Sequence, residues 1–188
     1  MMASSLPDLA EVLHVDNVEE STFRDAISLF ATGVTVITSR THDGPVGMTA
    51  SAVTSLSLHP VLLLVCISTR LPTHEVLEST GRFAVNVLGE SDSALALRFA
   101  TPGIEKFSGI RHTDRGGVPV LHSSIAYFVC DVDERLPGGD HSIFLGAVRQ
   151  LGLRRGARPL LYFGARFGHL AGSDDALLRA WLEGPASL

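Results

Sequence analysis

Apolar residues along this chain follow a helical spacing first and a strand-like spacing afterwards. Phe23, Ile27 and Phe30 fall at i, i+4 and i+7, behind Ser21-Thr22 and ahead of Gly33. That spacing predicts a short, core-facing amphipathic helix with a hydroxyl N-cap and a glycine stop. Val34-Thr35-Val36-Ile37-Thr38 is rich in β-branched residues and predicts a strand, and His42-Asp43-Gly44-Pro45 predicts a turn. Val46 to Leu58 continues as strand material with a kink near Thr49 to Ser51. Val61 to Ile67 is apolar at every position, which fits a strand buried on both faces or one shared between a barrel interior and a partner surface.

Leu71-Pro72-Thr73 opens a second short helix through Val76 and Leu77, closed by Gly81. Phe83 to Leu88 reads as the next strand and Ser91 to Ala100 as a third helix. A loop carrying Pro102, Gly103, Gly109, Gly116, Gly117 and Pro119 follows. Four more strands are predicted over Ala126 to Glu134, Ile143 to Leu153, Leu160 to Phe163 and Arg166 to Leu170. The pattern divides the chain into an N-terminal arm (1–20), one domain (21–172) and a helical tail (173–188) that holds Trp181 and Leu182. Many short strands with few helices predict a mostly β fold, a barrel or sandwich with Greek-key links. Regular strand–helix alternation and a GxGxxG turn are both missing from the sequence, so a nucleotide would not bind here in the Rossmann manner.

Of the 188 residues, 45% are hydrophobic and 19% charged, enough apolar material for a packed core. A net charge of −5 argues against a nucleic-acid or polybasic membrane partner. The one dense basic run, Arg149, Arg154, Arg155 and Arg158, reads as a solvated turn between strands. Cys66 and Cys130 sit in apolar runs with no CxxC or Cys/His spacing, the pattern of two buried free thiols. No apolar run reaches the roughly 18–20 residues of a membrane span. Met1 to Glu20 is acidic, without a secretion-signal pattern, and a reducing cytoplasm is the expected compartment.

Three groups of residues carry candidate chemistry. Gly47-Met48-Thr49-Ala50-Ser51, with Thr54, Ser55 and Ser57, offers close backbone approach and neutral donors, which suit the edge of a planar heteroaromatic ring. On spacing alone, an ordinary strand with a polar face is the favoured reading. Ser68-Thr69-Arg70-Leu71-Pro72-Thr73 stands at a helix start, where free N–H groups and the dipole favour phosphate; simple N-capping by Thr73 is the other reading. Gly138-Gly139-Asp140-His141 leads into a strand, where Asp140 would orient an imidazole able to bond a carboxamide or carry a proton. An idle hairpin turn is the alternative. No GxSxG elbow and no HExxH or HxH spacing is present, so hydrolysis and metal catalysis are poorly supported.

Read together, the segments resemble the flavin reductase family, the small partners of two-component flavin-dependent monooxygenases. The carrying residues are Phe30 to Thr38 (FATGVTVIT), Val46 to Ser51 (VGMTAS), Ser55 to Leu58 (SLSL), Phe83 to Leu88 (FAVNVL), Lys106-Phe107 and Gly139-Asp140-His141. They occur in the family's order between about Phe23 and Leu170. His59-Pro60-Val61 departs from the acidic residue and two prolines often found there, and the loop from Gly103 to Gly117 has no clear counterpart.

The resemblance implies a split β-barrel with a few short flanking helices that binds FMN or FAD and forms a homodimer. By that analogy Met48, Thr49, Ala50, Ser51 and Ser55 line the isoalloxazine. Ser68, Thr69, Arg70 and Thr73 meet the flavin phosphate, and Asn86, Lys106 and Phe107 close the pocket. His141 lies near the nicotinamide of NADH or NADPH. The implied activity is an NAD(P)H:flavin oxidoreductase that supplies reduced flavin to a monooxygenase. An electron-transfer protein with tightly bound FMN and a barrel without a working pocket are the competing readings.

Overall fold

The computed structural model describes residues 15–170, in which the β pattern dominates. Helix α1 (Glu20–Ser28) leads into β1 (Thr32–Gly33), β2 (Thr35–Thr41), β3 (Gly44–Ala50), β4 (Val53–Leu58) and β5 (Val61–Ser68). Then come α2 (Pro72–Thr80), β6 (Arg82–Val87), α3 (Ser93–Ala100), β7 (His112–Arg115) and β8 (Val118–Leu121). Two long strands, β9 (Ala126–Gly138) and β10 (His141–Leu153), precede β11 (Leu161–Phe163) and β12 (Arg166–Gly168).

The main sheet has seven antiparallel strands in the order β3-β2-β6-β9-β10-β5-β4. Consecutive strands β3 and β4 therefore occupy its two opposite edges, joined only by Ser51 and Ala52. In a flat sheet those edges would stand roughly 29 Å apart at about 4.8 Å per strand. Three Cα steps span at most about 11 Å. The sheet must roll until its edges approach, which gives a barrel split along the β3/β4 seam. An extra residue on β9, Asp133 opposite the Leu145–Gly146 step, and one on β10, Arg149 between Val148 and Gln150, supply bending.

The interior holds Ile37, Leu63, Val65, Ile67, Phe83, Val85, Cys130 and Phe144, capped by Leu77 of α2. A second cluster packs Ala96 and Phe99 of α3 against Val34, Val36, Leu88 and Leu160. The β7–β8 hairpin covers the outer face of β6, burying Ala84 with Val118, Val120 and Val129. Gly81 ends α2 with φ +63, the left-handed conformation that glycine adopts without Cβ strain.

Several expectations change. Helix α1 is not core-facing: Phe23, Ile27, Leu29 and Phe30 are 57%, 51%, 66% and 70% exposed. Its N-cap is Glu19, and Ser21 and Thr22 lie inside its first turn. The helix ends at Ser28, short of Gly33, which belongs to β1. The turn expected over 42–45 is confined to His42-Asp43, because Gly44 and Pro45 already belong to β3. The expected kink near Thr49 to Ser51 is a full break between edges. The segment expected as a loop contains β7, which pairs with β8. Of the two readings of β5, burial on both faces is ruled out, since Leu63, Val65 and Ile67 point inward while Leu62, Leu64 and Cys66 are half-buried on the other face. Residues 1–14 of the expected arm and the whole expected tail, 173–188, lie outside the described residues.

Gly146 marks tight packing where β10 meets the core. A Cβ there would lie 2.6 Å from Phe83 Cζ and 3.0 Å from Cys130 Cβ. Both neighbours are fully buried. Gly146→Ala is expected to lose about 1–3 kcal/mol of unfolding free energy by overpacking, read from urea denaturation midpoints.

Candidate functional site

The break at Ser51-Ala52 leaves backbone donors unused. Among the described residues no acceptor within the fold takes the N–H groups of Ser51 and Ala52, and both residues are exposed. The segment divides around this point. Met48 and Thr49 face a cavity of about 580 Å³ between β3, the start of α2 and the loop after α3. Ser51 and Ser55 instead line an apolar groove of about 820 Å³ with Ile27, Phe30, Leu62 and Leu64. Ala50 turns into the core at 9% exposure. Thr49 Oγ1 is already engaged, donating to Ala96 O at 2.6 Å.

The smaller cavity is also lined by Thr73, Lys106 and Phe107, and of its lining residues only Asp43, Glu105 and Lys106 carry charge. Its volume falls in the range of small-molecule sites. Lys106 Nζ donates to Phe99 O at 2.8 Å and Gly47 O at 3.2 Å, leaving one of its three N–H bonds free. Burial pushes this ammonium below the usual lysine range. Phe107 packs edge-on against Phe99, with ring centroids 5.1 Å apart. Arg98, which sequence reasoning missed, fixes this wall. It donates to the carbonyls of Glu105, Lys106 and Ser108, each at 2.8 Å. A lone arginine in a helix carries no sequence signal for such a role.

The two remaining groups, about seventy residues apart in sequence, meet in space. Ser68 at the end of β5 is the direct partner of His141 at the start of β10. Thr69 donates its N–H and its Oγ1–H to Asp140 O at 3.0 and 3.1 Å. A two-residue turn, Gly139-Asp140, joins β9 to β10, and Gly139 sits at φ +71 as a tight hairpin requires. His141 Nδ1 lies 2.7 Å from Asp140 Oδ1. The imidazole beside it, with Arg70 a smaller contributor, holds the Asp140 carboxyl below the usual carboxylate range. With Nδ1 turned to the carboxylate, Nε2 of the half-exposed ring faces outward. Among the described residues, Nε2 has no partner within the fold. Thr73 is buried and does not cap α2; the N-cap is Leu71, with no side-chain cap bond.

Asn86 stands apart from both cavities. It is fully buried, donating to Val36 O and Thr38 Oγ1 and accepting from Leu121 N–H and Ser124 Oγ–H. Every bonding position of the amide is filled by the fold, so Asn86 ties β6, β2 and β8 together and does not close a pocket in this chain. Cys130 is buried, and desolvation with the neighbouring Asp131 charge pushes its thiol up to about 12; Cys66 is half-buried in the apolar groove. Among the described residues, no cluster of three or more His, Cys, Asp or Glu side chains is gathered as metal ligands, and no helix is long and apolar enough to cross a membrane.

The family model for the flavin reductase-like domain matches residues 27–171, a span that takes in all three groups. The chain belongs to the flavin reductase-like family. It is 40% identical over 163 residues to the reductase component of a 4-nitrophenol 4-monooxygenase/4-nitrocatechol 2-monooxygenase from Rhodococcus opacus, covering 86% of this chain and 87% of that one. It is 34% identical to the NADH-dependent flavin reductase StyB of Pseudomonas fluorescens, covering 80% of this chain and 90% of the relative. Among solved structures it is similar to the NADH:FAD oxidoreductase SgcE6 of Streptomyces globisporus C-1027 in complex with NAD and FAD fragments. That match has a TM-score of 0.83 at 32% identity and covers 87% of this chain and 100% of the other. The mostly β architecture of the chain is that of the flavin reductase structures.

In this flavin reductase-like domain the Arg98 clamp sets the shape of the cavity wall. Arg98→Met is expected to cost about 1–3 kcal/mol, the usual loss for bonds to a charged donor. Hydrogen exchange should speed up specifically over residues 105–108, and an unchanged exchange pattern there would count against the clamp.

Proposed function

We propose that this chain uses NADH to reduce flavin and supplies the reduced flavin to a flavin-dependent monooxygenase component. Family membership and relatives named as NADH-dependent flavin reductases and as monooxygenase reductase components support the reading. The observation that carries it is the junction of Ser68-Thr69 with Asp140-His141, together with free backbone donors and a cavity whose wall holds three charged residues, Asp43, Glu105 and Lys106, among mostly uncharged ones. This donor set fits a flavin: uncharged groups for the ring edge, and hydroxyls, a helix start and Arg70 for a phosphate.

When bound, the flavin supplies a hydride acceptor and NADH the hydride. The protein supplies position, not an acid or base. Met48 and Thr49 form the wall beside the ring, and the N–H groups of Ser51 and Ala52 stabilise negative charge on the reduced ring. Ser68, Thr69, Arg70 and Thr73 hold the phosphate, and Lys106 and Phe107 bound the far side of the cavity. His141 Nε2 accepts a hydrogen bond from the nicotinamide carboxamide, its ring steadied by Asp140. FMN and FAD share the ring and first phosphate that these residues meet, so the site accepts either. Two unpaired thiols, one deeply buried, support a reducing cytoplasm as the compartment.

The protein acts as a homodimer. A second copy, placed isologously, covers the apolar groove and the exposed Phe23, Ile27 and Phe30 of α1. Ser51 and Ser55, which line that groove, then come to lie beside the interface. Cys66 lies in the groove, so its labelling by a thiol reagent should be slow in the dimer and speed up on dilution, while Cys130 stays silent. Concentration-independent labelling of Cys66 in the native protein would argue against this pairing.

The deciding assay is oxidation of NADH and NADPH by the purified protein with and without FMN, FAD or riboflavin. Turnover that depends on added flavin and prefers NADH is expected. A flavin retained through gel filtration with no turnover would replace the reading with an electron carrier. His141→Ala should raise the nicotinamide KM about ten-fold while changing flavin affinity less, in line with one lost hydrogen bond. An unchanged KM would remove His141 from the nicotinamide site.

A further inference from the structure

Behind the exposed His141-Asp140 pair lies a second histidine that the mechanism above does not use. His74, in the first turn of α2, is 5% exposed, and its Nε2 lies 2.8 Å from Oγ of Ser142, itself 3% exposed. On the other side of the ring, Nδ1 faces Glu78 Oε2 at 4.0 Å, and Glu78 Oε1 is held by Arg135 at 3.1 Å. Phe144 packs edge-on against the imidazole, with centroids 5.3 Å apart. A carboxylate, an imidazole and a serine in this order have the layout of a hydrolytic triad. The buried hydroxyl, however, has no approach for a substrate. The same geometry serves as a joint.

Ser142 follows His141 directly, and strand alternation sends their side chains to opposite faces of β10. His74 therefore grips the inner face of the very strand end whose outer face presents His141. Nε2 and the Ser142 hydroxyl bond each other directly, whereas Glu78 lies across the ring at 4.0 Å, beyond hydrogen-bond reach. Thr69 holds Asp140 from the other end of the same turn, through both its N–H and its hydroxyl. The start of α2 and the mouth of β10 are thus fastened twice, once outside the barrel and once inside.

We propose that His74 is a positioning residue for the nicotinamide site, acting through Ser142 to fix the height and direction of His141. The proposal rests on the reductase reading, with His141 as the group that meets NADH. Without the inner bond, the first residues of β10 keep their ladder partners but lose the constraint that sets how far His141 projects. NADH binding should then suffer, and hydride transfer at saturation should not.

The test is a double-mutant cycle read in two ways: nicotinamide KM against kcat with flavin saturating, and NAD+ dissociation constants from calorimetry without turnover. His74→Leu keeps the packing on Phe144 and removes the bond; Ser142→Ala removes it from the other side and serves where the histidine variant fails to fold. Either change is expected to raise the NADH KM and the NAD+ dissociation constant about three- to ten-fold, with kcat within two-fold. His74→Gln, which can still bond Ser142, should recover most of the loss. In a His141→Ala background, His74→Leu should add less than two-fold. A full additional loss there, or wild-type NADH and NAD+ binding in both single variants, would overturn the positioning role while leaving the reductase reading intact. A wild-type protein that neither binds NAD+ nor oxidises NADH with flavin would overturn both.

Discussion

Everything in this fold follows from a short connection between distant edges. Ser51 and Ala52 join β3 to β4 across a sheet in which five other strands lie between them. The link is too short for a flat sheet, so the sheet rolls, and rolling brings β3 beside the start of α2. Ala52 O in this link still accepts from Cys66 N–H of β5 at 3.0 Å, but among the described residues the N–H groups of Ser51 and Ala52 are left free at the surface. One geometric constraint thus creates both the barrel and a pair of free backbone donors at its seam. The small side chains of the Thr49-Ala50-Ser51-Ala52 segment allow it: Ala50 turns inward without crowding the core, and Ser51 and Ala52 stay exposed.

Much of this was legible in the sequence, because the core pattern and the turn chemistry are local. The β-branched run of β2, the glycine closing α2 and the tight hairpin before β10 all appear where their residues place them. The β7 strand was not legible, since His112 to Arg115 is polar throughout and gains its place only by pairing with the buried β8. Helix α1 misled for the opposite reason. Its spacing is that of a core helix, but the apolar surface it matches is not within the same chain's interior. Periodicity reports that a face will be covered and says nothing of what covers it.

The site residues show the same division between local and non-local information. Asn86 stands out in an apolar strand and invites a ligand role, yet its four hydrogen bonds go to three other segments of the fold. A buried amide with every position filled is worth more to the architecture than to a substrate. Arg98 and His74 carried no signal at all, because their partners are carbonyls of a loop and a hydroxyl on a strand far along the chain. Lys106 lies between these cases. Its proximity to Phe107 is visible in sequence, but its anchoring to Gly47 and Phe99 appears only when α3 closes on β3.

What places the chemistry is finally the register of two strands. On β5, Leu63, Val65 and Ile67 point inward; opposite them on β10 stand Gly146, Phe144 and Ser142. Burying those residues leaves no choice for the other face, where Ser68 stands opposite His141. A slip of one residue would turn His141 into the barrel and expose Ser142 in its place. The cost of such a slip is that of exposing the inward set of a fully packed strand, about 1.5–3 kcal/mol for each large side chain. Hydrophobic burial therefore secures the junction of the Ser68-Thr69 turn with His141 far more strongly than the hydrogen bonds between them can. Those bonds act on a finer scale, setting angles and heights once the register is fixed. A hydride-transfer enzyme needs both scales: the core decides which residues meet, and the bonds of Thr69 and His74 decide how closely.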